Sequence, residues 1–372
     1  MKTTRRNLIR SAAVLPLTAV KGSAANSAVS IGVVGVGNRG SYLARLVSQN
    51  AGARVAAISD VNPERMDQVR KGLGAQSPEV FADYRKLLDA KLDAVIIATP
   101  VFLHAEHFEA AIKSGKHIYI EKPAASSIAD CKRIMQLADG ADRRIHISFG
   151  FQRRYGYVYQ QAKKALDSGA IGRIRWANIQ FVKSEGGRTG PSTRPATMEE
   201  KIRRWGAWRE LSGDLIVENN IHLIDVMNWF LGARPLKAIG TGGRTLERYG
   251  DTRDHGQVTY TYPGNVQGTL LGTVLAPPFY RNVYEQFHGP NGVIETSENY
   301  WKHFRGRADV SEERSPREIS ADSINAFVSR LAEAKPENTG VRGVESTLSA
   351  ILGRMAMDLK REVTWEEMLQ AG

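Results

Sequence analysis

The sequence predicts two domains: an N-terminal α/β domain with a doubly wound parallel sheet, and a C-terminal α+β domain with a largely antiparallel sheet. Three observations carry this. Up to about residue 150, short apolar runs alternate with helical patterns, the rhythm of βαβ units. After Gly172 the chain is rich in extended runs joined by short turns such as Pro263-Gly264-Asn265 and Gly289-Pro290-Asn291-Gly292. At 372 residues the chain is also long enough for two cores.

Ser30 to Val34 is an apolar run that reads as the first strand. Gly35, Gly37 and Gly40 then fit G-x-G-x-x-G, with Asn38 and Arg39 filling its gap, and Ser41 to Gln49 reads as the helix that follows. The first glycine permits a tight turn, the second lets the backbone approach a pyrophosphate, and the third lets helix pack on strand. The free N–H groups at the helix start bind phosphates. Arg54 to Ser59 is the second strand and ends in Asp60. A carboxylate about 20 residues past the last glycine holds the adenosine ribose hydroxyls and repels a 2′-phosphate. The first domain therefore reads as a Rossmann fold binding NAD rather than NADP.

Asn62-Pro63-Glu64 opens the second helix, with Pro in its first turn. Phe81 to Leu88 reads as a short helix. Asp93 to Ala98 is an apolar run suited to a strand buried on both faces, and Thr99-Pro100 ends it. His104 to Lys113 is a helix, His117 to Ile120 a strand closing on Glu121-Lys122-Pro123, Ser127 to Ala138 a helix holding Cys131, and Ile145 to Phe149 the last strand of the sheet. Tyr155 to Leu166 is helical. Arg173–Val182, Leu236–Arg244, Gln257–Tyr262, Val266–Val274, Val283–His288 and Val293–Thr296 are extended. Glu185 to Thr197 reads as a long loop and a candidate lid. Ala321–Ala332 and Val341–Leu359 are terminal helices.

Composition is ordinary for a globular protein, with 42% hydrophobic and 24% charged residues. No run of 18 apolar residues exists, so no membrane-spanning helix is expected. The single cysteine excludes an internal disulfide. Thr4-Arg5-Arg6-Asn7-Leu8-Ile9-Arg10, a weakly apolar stretch and Ser23-Ala24-Ala25 have the form of a twin-arginine export signal. Its removal takes away Lys2, Arg5, Arg6, Arg10 and Lys21 and lowers the net charge from +12 to +7, with 46 basic against 39 acidic residues left. Those remaining basic residues are dispersed, which argues against a nucleic-acid partner. The expected layout is a signal peptide and frayed start over 1–28, the NAD-binding domain over 29–150, the substrate and oligomerisation domain over 151–340, and a C-terminal helix over 341–372 that packs back on the first domain. An exported protein reaches no recycling pool of NAD. The expectation is therefore a periplasmic or other extracytoplasmic protein carrying tightly bound NAD regenerated within the site.

At Glu121-Lys122-Pro123 the chain comes to resemble the Gfo/Idh/MocA family of NAD(P)-dependent sugar and cyclitol oxidoreductases. The resemblance rests on G-V-G-N-R-G, Ala98-Thr99-Pro100, E-K-P at a strand end, G-F-Q-R-R-Y at 150–155 and S-G-D-L-I-V-E-N-N-I-H-L-I-D at 212–225. It implies that Lys122 hydrogen-bonds cofactor ribose and substrate, stabilising the alkoxide that forms as hydride leaves. It also implies that His222 takes the hydroxyl proton. Glu218 and His222 are four apart and share a face if the stretch is helical. Where the family usually carries Asp and Gly, this chain has Glu218 and Asn220, so Glu218 either reaches substrate or orients His222.

The expected cofactor contacts are Gly35, Gly37, Asn38, Arg39, Gly40, Asp60, Thr99, Pro100, His104, Glu121 and Lys122. Expected substrate contacts are Arg153, Lys183, Trp205, Trp208 and Asn219, with Arg154 and Asp225 structural. His255, Tyr280 and Arg281 are further candidates. No metal-ligand spacing is present. The substrate implied is a carbohydrate or cyclitol, and relatives pair as homo-oligomers through the open face of the second sheet. Two other readings share these motifs. One is a glycosidase or lyase working by transient oxidation, elimination, hydration and reduction; the other is a non-catalytic NAD-binding sensor.

Overall fold

The computed structural model describes residues 28–184 and 193–372. The twin-arginine stretch and most of the proposed lid, residues 185–192, lie outside the described residues.

β1 (Val29–Val34) is buried along its whole length, as a strand covered by helices on both faces must be. It sits in the middle of a six-stranded sheet with β2 (Ala53–Ser59), β3 (Glu79–Phe81), β4 (Ala94–Ile97), β5 (His117–Ile120) and β6 (Ile147–Phe149). The strands are parallel in the order β3-β2-β1-β4-β5-β6. The order reverses between β1 and β4, and that switch point opens a crevice at the strands' C-terminal ends. The helices α1 (Asn38–Ser48), α2 (Pro63–Gly72), α3 (Tyr84–Asp89), α4 (His104–Lys113) and α5 (Ile128–Asp139) connect these strands. Ile31, Val33, Val95, Ile96 and Ile118 are fully buried between the helical layers, each contributing about 1.5–3 kcal/mol relative to exposure. The predicted helix from Phe81 begins three residues later. Phe81 ends β3, and Asp83 caps α3 by accepting from the Arg85 N–H.

After α6 (Tyr157–Asp167) the chain enters a nine-stranded sheet in the order β14-β13-β12-β11-β7-β10-β9-β8-β15. Its strands are β7 (Trp176–Val182), β8 (Lys237–Gly243), β9 (His255–Tyr262), β10 (Val266–Thr273), β11 (Asn282–Gly289), β12 (Gly292–Ser297), β13 (Tyr300–Phe304), β14 (Val310–Arg314) and β15 (Val363–Thr364). Every pairing is antiparallel except β7 with β10. Sequence reading missed β13, β14 and β15. β14 is the edge strand V-S-E-E-R, almost wholly exposed, so it shows no apolar alternation.

One face of this sheet is covered by helices. α7 (Met198–Arg203) precedes a π-helical turn at Ile216–Asn220, which runs into α8 (Ile221–Leu231). α9 (Ile319–Ala332) lies beside α1. α10 (Gly340–Leu359) is wedged between the two sheets, and β15 and α11 (Trp365–Gln370) follow it. The wedge depends on glycine. A Cβ at Gly340 would stand 2.3 Å from Ala138 of α5, one at Gly343 2.7 Å from the Phe149 ring of β6, and one at Gly353 2.3 Å from the Tyr260 hydroxyl of β9.

Candidate active site

The glycine loop between β1 and α1 has the form its spacing predicted. Gly35 sits at φ +83°, and a Cβ there would strike the Thr99 amide nitrogen at 2.8 Å. A Cβ on Gly40 would lie 1.8 Å from the Gly35 carbonyl oxygen, so only glycine lets α1 start this close to the turn. Gly37 differs: a Cβ there would meet only the Arg65 guanidinium, at 3.4 Å. That is the open approach a pyrophosphate needs. α1 begins at Asn38 with no side-chain cap and no acid in its first turn, leaving donors for an anion. The Asp60 carboxylate, at the end of β2, accepts the Val36 N–H at 2.8 Å and the Asn62 N–H at 2.9 Å. It is thereby held against the loop, where ribose hydroxyls are expected. These residues fit a dinucleotide. Arg65, on α2, was missed by sequence reasoning; its only signal is a place five residues past Asp60.

Arg39, Glu121 and His104, also expected at the cofactor, each have partners within the protein. Arg39 Nε donates to Glu121 Oε1 at 2.7 Å and its Nη1 to Ser320 Oγ at 3.1 Å. The two charges are engaged with each other, tying the glycine loop to the end of β5. His104 is buried, with Nδ1 2.8 Å from the Pro123 carbonyl oxygen and Nε2 3.0 Å from that of Thr99. It braces the strand ends after β4 and β5 rather than facing the crevice, and burial lowers its pKa. Thr99 and Pro100 themselves are half-buried at the crevice wall, with Thr99 Oγ1 3.0 Å from His107 Nδ1.

Lys122 follows β5 and precedes a cis peptide to Pro123. Its ammonium donates to the Glu218 main-chain carbonyl at 2.7 Å and lies 3.5 Å from Glu218 Oε1. Glu218 reaches Lys122 from a π turn rather than the regular helix its spacing to His222 suggested, and His222 follows in the first turn of α8, within the field of the Lys122 charge. Such turns insert one residue and re-aim the side chains around them. The His222 ring is half-buried, and its Nδ1 has no hydrogen-bond partner among the described residues. Its pKa lies well below the ordinary 6.5, first through burial and then through the positive charges of Lys122, Arg153, Arg39 and Lys183. At neutral pH it is therefore an uncharged proton acceptor. Asn219 is half-buried beside it, whereas Asn220 turns under the sheet against Gly272.

Of the expected substrate contacts, Arg153 is corrected. Its side chain is 2% exposed and pairs with Glu285, which is fully buried, and with Glu298 at 3.1 Å. Its guanidinium is enclosed by carboxylates and lends the site charge without reaching open space. Arg154 is structural as expected, forked onto Asp225 at 2.8–3.1 Å, with Ser346 donating to the same carboxylate at 2.7 Å. Lys183 follows β7, with its ammonium 4.8 Å from the Phe181 ring centre. The Trp208 ring is covered by the Lys201 ammonium at 4.9 Å, and Trp205 stands half-buried in the adjoining turn. No hydrogen bond or ring contact among the described residues joins either tryptophan to Lys122 or His222. His255 is held by Asp254 at 2.7 Å, and Arg281 pairs with Glu298 at 2.7 Å. Among the described residues no three His, Cys, Asp or Glu side chains gather as a metal site, and no helix is long and apolar enough to cross a membrane.

Comparison with known proteins identifies the family and the fold. The chain is 36% identical over 228 residues to inositol 2-dehydrogenase 3 of Saccharopolyspora erythraea, covering 61% of each chain. It thus spans about three fifths of that relative's length. It is 30% identical over 272 residues to scyllo-inositol 2-dehydrogenase (NAD(+)) of Bacillus subtilis, covering 72% of this chain and 73% of that one. Its fold matches the crystal structure of myo-inositol 2-dehydrogenase from Lactobacillus plantarum with a TM-score of 0.74, at 22% identity over 91% of this chain and 99% of the other. The pattern of an oxidoreductase family with an NAD-binding Rossmann fold matches residues 29–149, and that of the family's C-terminal domain matches 159–295. With more than half of its length so matched, the chain belongs to the Gfo/Idh/MocA oxidoreductase family.

Proposed function

We propose that the protein is an NAD-dependent dehydrogenase acting on a secondary hydroxyl of a carbohydrate or cyclitol. The observation that carries this reading is the contact of the Lys122 ammonium with Glu218, with an uncharged His222 in the field of that ammonium. They lie beside the strand ends where the glycine loop and Asp60 form a dinucleotide cradle. The inositol 2-dehydrogenase relatives support the substrate class. Bound NAD would supply the hydride acceptor. His222 accepts the proton of the substrate hydroxyl. Lys122 donates to the same oxygen and stabilises the negative charge that develops there. Glu218 holds the Lys122 ammonium in place, and its carboxylate with Asn219 and Lys183 offers polar groups to the remaining hydroxyls. The twin-arginine stretch supports an extracytoplasmic location, and with it tightly held NAD that is reoxidised in place. The open face of the second sheet suits a homo-oligomer.

The test is to purify the protein without added cofactor, denature it and count released nucleotide per chain, then screen cyclitols and sugars with and without NAD. NADH formation, or exchange of oxidation state between two sugars, supports the reading. Its absence across the screen, in a protein shown to bind NAD, overturns it. Lys122→Met and His222→Ala should each keep the nucleotide and lose turnover.

A further inference from the structure

The π turn that presents Glu218 starts from an unusual residue. Gly213 and Asp214 both have positive φ, 83° and 89°. Glycine tolerates this conformation and aspartate seldom adopts it. Asp214 is 1% exposed. Its Oδ1 accepts the N–H groups of Leu215 at 2.8 Å and Arg253 at 2.7 Å, and its Oδ2 pairs with the Arg253 guanidinium and with Arg209 Nε at 3.4 Å. Arg253 and Arg209 both continue to Asp358 near the end of α10. The carboxylate thus fixes the backbone of its own residue to the segment entering β9 and, through the two arginines, to α10. The Asp214 carbonyl in turn accepts the N–H of Glu218 at 2.9 Å, and the Glu218 carbonyl accepts the Lys122 ammonium at 2.7 Å.

The geometry points to Asp214, clamped by Arg253, as a positioning residue that sets the Glu218 carbonyl and through it the aim of Lys122. Three links connect them: carboxylate to guanidinium, carbonyl to amide, carbonyl to ammonium. Asp214 touches no reacting atom. An ordinary helix start would need none of this, because glycine would supply the φ at no steric cost. Keeping an aspartate there makes sense if its side chain holds the turn to the segment entering β9 and to α10. The inference rests on Lys122 being the group that meets the substrate oxygen.

The test compares Asp214→Gly, Asp214→Asn and Arg253→Met in the full chain. Asp214→Gly suits the backbone angle and removes the clamp. Asp214→Asn keeps an acceptor for the two N–H groups and should retain much of the activity. For Asp214→Gly and Arg253→Met, kcat should fall about 10- to 100-fold while the dissociation constant for NAD stays within about twofold. Reductive methylation of Lys122, read by peptide mass, should run several-fold faster because the ammonium has lost its fixed acceptor. This readout needs no turnover, so it decides the inference even if no substrate is found. A lower melting temperature with unchanged kcat and unchanged Lys122 labelling in either variant would overturn it. Should Asp214→Gly fail to fold, Arg253→Met alone carries the same two outcomes.

Discussion

The ammonium of Lys122 and the main-chain carbonyl of Glu218 stand 2.7 Å apart, although the two residues are 96 positions apart in sequence. The end of a parallel strand and a π turn of the second domain thereby share one hydrogen bond. Lys122→Met should lower turnover by about 10²–10³-fold, the range for removing one fixed oxyanion donor. It should also move the acid limb of kcat/KM. The His222 pKa lies below 6.5 chiefly through burial and next through Lys122. Without that cation the limb should shift upward towards 6.5, as a pH-rate profile will show.

The two glycines that flank Asn38 and Arg39 should behave differently. Gly40→Ala places a methyl 1.8 Å from the Gly35 carbonyl oxygen and should prevent soluble expression or unfold the loop. Gly37→Ala meets only a flexible arginine tip at 3.4 Å. That variant should fold with nearly unchanged melting temperature and bind NAD at least about tenfold more weakly, because the methyl occupies the pyrophosphate approach. Titration calorimetry on the folded variant is the check.

Buried Arg153 and exposed Arg281 share Glu298 yet should differ in what they do for stability. Arg153→Met leaves the carboxylate of Glu285 buried without its cation and should cost about 3–5 kcal/mol. Arg281→Ala breaks a surface pair and should cost under about 1 kcal/mol. Urea unfolding of the two variants separates these values.

Stability should fall in mild acid. Burial, the main cause in each case, pushes His107 and His146 from 6.5 down to about 4. Between those values the unfolded chain takes up protons that the native chain refuses. The stabilisation is therefore complete above pH 6.5 and is lost as pH falls towards 4, by at most on the order of 3 kcal/mol per histidine. The melting temperature should drop steadily across this window, and His107→Gln should flatten the slope.

What could be read in the sequence was what depends on near neighbours. The glycine spacing, Asp60 and the strand-to-helix rhythm are set within tens of residues, and all are found in place. The roles of the two arginines at 153 and 154 were not readable. Arg153 is decided by Glu285, 132 residues away, and Arg154 by Asp225 and Ser346. His104 was placed at the cofactor because it follows Thr99-Pro100, but its partners are carbonyls on two different strand ends. The π turn left no trace in a periodicity count, because its five residues are apolar and polar in an order a regular helix would also accept.

α10 touches α5 and β6 on one side, and the π turn and β9 on the other, at distances set by the absence of side chains on Gly340, Gly343 and Gly353. Its Thr347 hydroxyl also receives the amide of Ala124, two residues past Lys122, and its Ser349 receives the Asn228 amide from α8. The segment that follows Lys122 and the helix that carries His222 are therefore mounted on a common spar. Widening that spar by a single methyl at any of these glycines would push apart the two elements it joins.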